Sequence, residues 1–237
     1  GKVAIVTGAG SNIGRAIAVG LAAAGAQVWC AGRTEATLAE TASEIESAGG
    51  SGGVLVADVT VDHEVQALME AAAEQSGRID VLFLNAGGTV GTGPIEATEP
   101  ADWEATIALN LTSVYHCARA AIPYLKRSEA GKIITTGSGA GHEVLPQIAS
   151  YSVAKAGLWA LTRALAKELI VYGIAVNELI PGPVGGELRA PANTVSPAQV
   201  FDNEWRKPPE AVVPLALFLA TQPPNGPTGQ SFRLMRR

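Results

Sequence analysis

Three side chains that can move or hold a proton lie close together in the sequence: Ser138, Tyr151 and Lys155. Tyr151 and Lys155 are four residues apart, so in a helix both project from one face, one turn apart. A free phenol titrates near ~10, but a neighbouring ammonium favours the phenolate and lowers the pKa of the phenol. Tyr151 is therefore a candidate general acid or base. Ser138 follows a predicted strand, and its hydroxyl is a candidate to hold a substrate oxygen.

The rest of the chain must position these residues, and it alternates short β-rich runs with Ala- and Leu-rich segments of helical period. This alternation is typical of βαβ units wound into a parallel sheet. The predicted strands are 3–6, 28–31, 54–57, 81–84, 132–136, 174–179 and 231–234, and the predicted helices are about 13–24, 34–48, 62–76, 101–127, 150–172 and 208–220. Right-handed crossovers put helices on both faces and a ligand crevice at the carboxyl ends of the strands. All the candidate motifs fall at those ends.

Composition limits the function class. With 237 residues, 47% hydrophobic and 16% charged, the chain can bury one large core, and we expect a single domain over residues 1–237. A formal net charge of −5 disfavours nucleic acid and anionic membrane surfaces as partners. No apolar run approaches the roughly 18 residues of a membrane span and no signal peptide precedes the first strand, so we expect a cytoplasmic protein. Cys30 and Cys117 are far apart and are expected to be reduced core residues.

The turn after the first strand contains Gly8, Gly10 and Gly14, so its backbone can approach a diphosphate at the N-terminus of the next helix. Together with the Tyr-x-x-x-Lys pair, this turn resembles the short-chain dehydrogenase/reductase family, and the resemblance runs from residue 2 to about 231. Asn12 stands where the family's Thr-Gly-x-x-x-Gly-x-Gly pattern has its middle glycine. Asparagine tolerates a left-handed backbone, so we expect the turn to persist.

The resemblance implies a single-domain α/β fold, a doubly wound parallel sheet of Rossmann type with about seven strands and helices on both faces. It also implies hydride transfer between a nicotinamide and a carbonyl or secondary alcohol, as in the 3-oxoacyl-thioester reductases. Tyr151 would be the general acid or base, Ser138 would hold the reacting oxygen, and Lys155 would lower the pKa of Tyr151 and bind the nicotinamide ribose. Asn110 would anchor a water in a proton relay, although a purely structural partner for this amide is the alternative.

The resemblance also implies a set of cofactor contacts. These are Gly8, Ser11, Asn12, Ile13, Gly14, Arg33, Asp58, Val59, Asn85, Ala86, Gly87, Tyr151, Lys155, Pro181, Gly182 and Val184. Gly32 replaces the aspartate of NAD-preferring members and Arg33 can meet a 2′-phosphate, so NADP(H) is favoured over NAD(H) unless Arg33 is only a solvated side chain. Asp58 has a second explanation as the cap of the next helix, and Asn85 is expected to be more structural than chemical.

Two other positions depart from the family pattern. Gly137 replaces the first serine of the Ile-Ser-Ser signature, and Gly186 replaces a threonine that normally helps to bind the carboxamide, for which Ser196 or a backbone group would substitute.

His142 and Glu143 are interpreted as substrate-pocket or loop-surface residues, because no third ligand stands at zinc-like spacing. A hydrolase is disfavoured because the chain has no Gly-x-Ser-x-Gly elbow. The polar loop at about 185–207 is expected to close over a small-molecule substrate.

The sequence does not name the substrate. Sugar, polyol and cyclic ketone dehydrogenases share every motif above, and a nicotinamide-binding sensor without turnover is a further alternative. The departures at Asn12 and Gly186 favour the sensor, whereas the four filled catalytic positions oppose it. The helix after Tyr151 is apolar beyond one stripe, which is typical of a helix buried on more than one side, and the family resemblance implies that it pairs with a second copy in a homodimer or homotetramer. That stripe consists of Leu158, Leu161, Leu165 and Leu169.

Overall fold

The computed structural model describes residues 1–74, 76–185 and 206–235. Its strands are β1 Val3–Thr7, β2 Gln27–Gly32, β3 Ser51–Val56, β4 Val81–Leu84, β5 Lys132–Thr136, β6 Ala175–Ile180 and β7 Ser231–Arg233. In the described ranges they form one seven-stranded sheet in the order β3-β2-β1-β4-β5-β6-β7, and every neighbouring pair is parallel. The strand order reverses between β1 and β4, where such sheets open a crevice for ligands.

The helices cover both faces of this sheet, because successive strand residues point to opposite sides. They are α1 Asn12–Ala23, α2 Glu35–Ser47, α3 Asp62–Ala73, α4 Pro100–Ile107, α5 Ser113–Leu125, α6 Ala149–Leu169 and α7 Val213–Ala220. Residues of α1, α2 and α7 share one buried cluster with Val6 and Phe83. Residues of α3, α5 and α6 share the other with Ile5 and Leu82. The predicted doubly wound α/β fold is therefore confirmed.

The helix predicted at 101–127 is not a regular α-helix. A π-helical turn, Ala108–Thr112, separates α4 from α5. Such wider turns commonly occur at functional positions, and this one contains Asn110. Shorter differences occur elsewhere: 3₁₀ turns, Ile170–Tyr172 and Pro209–Val212, stand where helix was predicted.

Strand β3 begins three residues earlier than predicted, because Gly52 and Gly53 are part of it. Glycine disfavours strands in general, which is why the sequence pattern placed the start at Val54. Here a Cβ at Gly52 would overlap the carbonyl oxygen of Val28, and one at Gly53 would press on the ring of Trp29. The glycines therefore allow close contact with β2.

Cys30 and Cys117 are buried and free, as predicted. Burial raises the pKa of Cys30 to about 11 and the pKa of Cys117 to about 12. Among the described helices, none has both the length and the apolar character needed to cross a membrane. Most of the predicted substrate loop, with Gly186 and Ser196, lies outside the described residues.

Candidate active site

The three candidate proton-handling residues meet at the carboxyl end of the sheet. β5 ends at Thr136, and Ser138 continues in an extended conformation into a 3₁₀ turn, where its Oγ accepts a hydrogen bond of 3.2 Å from the amide of Ala140. Tyr151 and Lys155 occupy the first two turns of α6. The Ser138 hydroxyl lies close enough to the phenol of Tyr151 to lower the pKa of that phenol. The structure therefore brings together the three residues that the sequence singled out.

Lys155 is a buried cation, with only 3% of its surface exposed. Its ammonium donates a hydrogen bond of 2.8 Å to the carbonyl oxygen of Thr136 and lies 5.6 Å from the centroid of the Tyr151 ring. Burial lowers the pKa of Lys155 to about 8, although the carboxyl group of Glu178 acts in the opposite direction. Near neutral pH the ammonium is therefore retained.

The pKa of Tyr151 differs from the sequence-based expectation. Burial raises the pKa of the phenol, and the hydrogen bond with Ser138 lowers it by less. The phenol therefore keeps its proton at neutral pH. A protonated phenol is the form that a general acid needs, so this geometry favours proton donation to a carbonyl oxygen.

Asn110 lies in the π turn and is completely buried. Its Nδ2 donates to the carbonyl oxygens of Gly88, at 2.6 Å, and Thr106, at 2.9 Å, and its Oδ1 accepts from the amide of Gly88 at 3.1 Å. A Cβ at Gly87 would lie 2.8 Å from this Oδ1 and 3.4 Å from the Lys155 ammonium nitrogen. Asn110 therefore has structural partners, which was the open alternative, and it also lies within reach of Lys155.

The glycine-rich turn fits a diphosphate. Gly8 and Asn12 both have left-handed backbones, with φ of 67° and 49°, so the expectation for Asn12 is confirmed. Ser11 makes no side-chain cap at the start of α1, and the first turn carries no acidic residue. The amide groups of this helix terminus are therefore available to an anion, and the helix dipole favours one. A Cβ at Gly14 would overlap the Gly8 carbonyl oxygen, so the turn requires a glycine there.

The adenosine end of this crevice holds Arg33 and Asp58. The Arg33 side chain is 70% exposed, and its guanidinium lies 3.7 Å from the Asp58 carboxylate. Asp58 accepts hydrogen bonds from the amide and hydroxyl of Thr60 and so stabilises the turn before α3, but it does not cap this helix, because the N-cap is Val61 and has no side-chain hydrogen bond. Burial raises the pKa of Asp58, but these hydrogen bonds and the Arg33 charge together hold it below the usual value. Val59 is buried next to it.

Other predicted cofactor contacts line the same edge. Asn85 donates from Nδ2 to the carbonyl oxygen of Thr7 and accepts from the Thr136 hydroxyl, so it joins β1, β4 and β5. This agrees with a structural role. The amide of Ala86 donates to the Thr7 hydroxyl.

The segment after β6 contains Pro181, Gly182 and Val184, and it carries a feature that sequence reasoning missed. Lys207 is 2% exposed, and its ammonium donates a hydrogen bond of 2.6 Å to the Pro181 carbonyl oxygen. Its backbone forms a β-bridge with Val184. Lys207 therefore fastens the chain before Pro208 to the segment that follows β6.

Comparison with known proteins decides the family. A sequence model of the short chain dehydrogenases matches residues 2–196. The chain belongs to this family. It is 36% identical over 235 residues to a 3-oxoacyl-[acyl-carrier-protein] reductase of Synechocystis sp., covering 98% of this chain and 95% of the relative. Proteins of this family are nicotinamide-dependent oxidoreductases, and the chain is an enzyme of that class.

Solved structures of family members agree with the fold. The structure of an NAD⁺-bound xylitol dehydrogenase superposes with a TM-score of 0.93 at 26% identity, covering 99% of this chain and 97% of that one. A 3-ketoacyl-ACP reductase from Sinorhizobium meliloti superposes with a TM-score of 0.88 at 30% identity, covering 98% and 96%. Both an acyl-thioester reductase and a polyol dehydrogenase are therefore close in structure.

Sequence reasoning also missed Glu178, a buried carboxyl group on β6 that is 1% exposed. The Nε2 atom of His142 lies 3.0 Å from its Oε2, and the Ser231 hydroxyl donates to the same oxygen. The His142 side chain is only 12% exposed, so the surface interpretation of this residue was wrong. The sequence did contain a signal, because Glu178 is an acidic residue inside a predicted strand. The structure shows that all six residues of this strand are buried.

Glu178 explains why the family serine is absent at position 137. A Cβ at Gly137 would overlap Oε1 of Glu178 and lie 2.5 Å from its carboxyl carbon. The glycine backbone is outside the left-handed region, so the requirement is for space and not for conformation. Gly137 and Glu178 are therefore matched to each other.

We predict that Gly137→Ala lowers the free energy of unfolding by about 1–3 kcal/mol, as overpacking typically does. Gly88→Ala is the matched control, because a Cβ there would meet nothing within 4 Å. The double variant Gly137→Ala, Glu178→Ala should lose less than the sum of the two single variants, since the clash is then absent. Denaturant unfolding measures all four proteins, and strictly additive losses would contradict the pairing.

Proposed function

We propose that this enzyme transfers a hydride between NADP(H) and a carbonyl or secondary alcohol, with Tyr151 as general acid in reduction and general base in oxidation. The observation that carries the proposal is the position of the buried Lys155 ammonium, which donates to the Thr136 carbonyl oxygen at 2.8 Å and lies 5.6 Å from the centroid of the Tyr151 ring. A bound nicotinamide would supply or accept the hydride. The remaining steps belong to the chain's own residues.

In reduction, the Ser138 hydroxyl would hold the carbonyl oxygen and Tyr151 would give it a proton. The phenolate that remains is stabilised by the neighbouring Lys155 ammonium, since opposite charges favour the ionised form. Lys155 would also bind the nicotinamide ribose, and Asn110 would anchor the water that returns a proton. Asn110 supports this because its side-chain oxygen accepts from the Gly88 amide and, like the Lys155 ammonium, lies close to the position that a Cβ at Gly87 would occupy.

The substrate class favoured is a 3-oxoacyl thioester, because the similarity to the Synechocystis reductase extends over nearly the whole of both chains. A polyol or sugar alcohol is the second candidate, supported by the superposition on xylitol dehydrogenase. Turnover on a panel of 3-oxoacyl thioesters, ketoses and polyols separates the two. A sensor on the same fold would bind cofactor and show no exchange with any of them.

NADP(H) is preferred in this proposal over NAD(H), because Arg33 stands exposed at the carboxyl end of β2 and Gly32 carries no carboxylate there. The nearby cation Arg15 is engaged elsewhere, since it bonds to the Gly10 carbonyl oxygen and pairs with Glu40. A guanidinium offers a planar fork that suits phosphate. The Asp58 carboxylate beside Arg33 opposes this preference, because it competes for the same guanidinium.

A homodimer or homotetramer is also proposed. Leu158, Leu165 and Leu169 of the predicted stripe are buried within the chain. On the outer side of α5 and α6, Tyr115 and Val153 are each 50% exposed. Apolar side chains left at the surface of two neighbouring helices favour a second copy as their cover.

Replacing Tyr151 with Phe should lower kcat by about 10²–10⁴-fold, because only the transferable proton is lost. Cofactor affinity should stay within a few fold. Tyr172→Phe, the same change on an exposed tyrosine, is the control. Lys155→Ala should weaken both kcat and cofactor affinity. Steady-state kinetics and cofactor titration measure these effects, and a Tyr151→Phe enzyme that keeps more than about a tenth of kcat would contradict the role of Tyr151.

For the cofactor, we expect NADPH to bind roughly ten- to a hundred-fold more tightly than NADH, as a charge-assisted contact of ~1.5–3 kcal/mol would give. Arg33→Ala should shrink this ratio, and Gly32→Asp should reverse it. The aspartate has space, since a Cβ at Gly32 meets only Leu38 methyl groups, the nearest at 3.5 Å. Fluorescence titration provides the ratio, with Arg127→Ala as the control. A ratio of one, or a ratio unmoved in Arg33→Ala, means that Arg33 is a surface residue only.

For the assembly, light scattering at micromolar concentration should give a mass of two or four chains of 24.2 kDa. Val153→Glu should shift it towards one chain, because a buried unpaired charge opposes association. Val144→Glu, on an exposed loop valine, is the control. A wild-type mass of one chain would refute the proposed assembly.

A further inference from the structure

The carboxyl group of Glu178 and the ammonium of Lys155 both lie next to one peptide group, the one that joins Thr136 to Gly137. Lys155 donates to the Thr136 carbonyl oxygen, which belongs to the peptide bond between Thr136 and Gly137. The Glu178 carboxyl group touches the Gly137 α-carbon, where a Cβ would overlap Oε1. Glu178 comes from β6, whereas Lys155 comes from α6.

Two groups from other elements contact one carboxyl oxygen of Glu178. Oε2 accepts from the Ser231 hydroxyl and faces the Nε2 atom of His142. Oε1 has no hydrogen-bond partner within the described ranges, although Glu178 is 1% exposed. The negative charge on that oxygen must therefore be balanced through space.

The groups that face this carboxylate come from several elements of the described part of the chain. His142 faces it from the loop after the 3₁₀ turn, Lys155 faces it from α6, and β7 contributes the neutral Ser231 hydroxyl. Beyond His142 lies the Trp159 ring, with the Arg163 guanidinium 5.0 Å from its centroid. Tyr151 lies on the other side of Lys155. Lys155 is therefore the buried lysine that this carboxylate can hold in its charged form.

We propose that Glu178 is a positioning residue that keeps the Lys155 ammonium charged, so that this ammonium is available to stabilise the Tyr151 phenolate. The catalytic part of this proposal rests on the proposed function. The electrostatic link between Glu178 and Lys155 does not depend on the proposed function. A lysine buried without a compensating charge titrates near pH 5–6 in documented cases, so it would be neutral at about pH 7. The burial of Lys155 alone would cost the enzyme the charge that its mechanism uses.

The direct test is an NMR titration of protein labelled with ¹³C at the lysine ε-carbons, with the Lys155 signal assigned by its loss in Lys155→Met. The expected wild-type midpoint is about 8. Glu178→Gln keeps the shape and an acceptor oxygen and should lower this midpoint by about one pH unit. Ser231→Ala keeps the carboxylate and should leave the midpoint in place. Glu129→Gln, the same change on an exposed residue, is the matched control.

If Glu178→Gln does not fold, Glu178→Met fills the same volume without charge and should shift the midpoint in the same direction, whereas Glu178→Asp should restore it. A Lys155 midpoint that is unmoved when the carboxylate is removed would overturn the proposal. A wild-type midpoint below about 6 would also overturn it, because Lys155 would then behave as a lysine without a compensating charge.

The pH dependence of turnover provides the second measurement. Lys155 is needed as a cation, so kcat/KM should fall as the pH rises through its pKa. In Glu178→Gln this alkaline limb should move to lower pH by the same amount as the NMR midpoint. A loss of kcat at every pH with the limb unmoved would indicate a merely structural role and would contradict the proposal. If Tyr151→Phe stays active while the midpoint moves, the proposed function fails and the link between Glu178 and Lys155 stands.

Discussion

The candidate active site depends on one hydrogen bond, from the Lys155 ammonium to the Thr136 carbonyl oxygen. A cation buried to this extent is costly unless acceptors and opposite charge surround it. The end of β5 supplies the acceptor, β6 supplies the carboxylate of Glu178, and α6 supplies the lysine together with Tyr151. Groups from three neighbouring elements therefore surround and stabilise a single buried charge.

The π turn at Ala108–Thr112 provides a second structural feature of the candidate active site, because it carries a polar side chain, Asn110, into it. A regular α-helix directs its amide and carbonyl groups to its own backbone, so it has few to offer to a site. The wider turn carries Asn110, whose side chain binds the Thr106 and Gly88 carbonyl oxygens. The glycine at 87 lets the loop after β4 lie against this amide, because a Cβ there would lie 2.8 Å from its Oδ1. Helix irregularity and loop glycines are thus parts of one arrangement.

Much of this was predictable from sequence, because periodicity and strand-end motifs report on the sheet directly. The alternation of strands and helices, the left-handed Asn12 and the meeting of Ser138, Tyr151 and Lys155 were predicted. The raised pKa of Tyr151 was not, because it depends on burial that no local pattern reveals. Glu178 was missed for a similar reason, since its partners come from positions 142 and 231. The start of β3 was missed because its glycines matter only through contact with β2.

The position of β7 has a consequence for biosynthesis. This edge strand is formed by residues 231–233, and Ser231 completes the hydrogen bonds of Glu178 beneath the site. During synthesis, the residues of the other six strands leave the ribosome before the residues of β7. A nascent or C-terminally shortened chain would thus contain the residues of the other six strands while the buried Glu178 carboxyl group lacked the hydrogen bond from Ser231 and kept only its contact with His142.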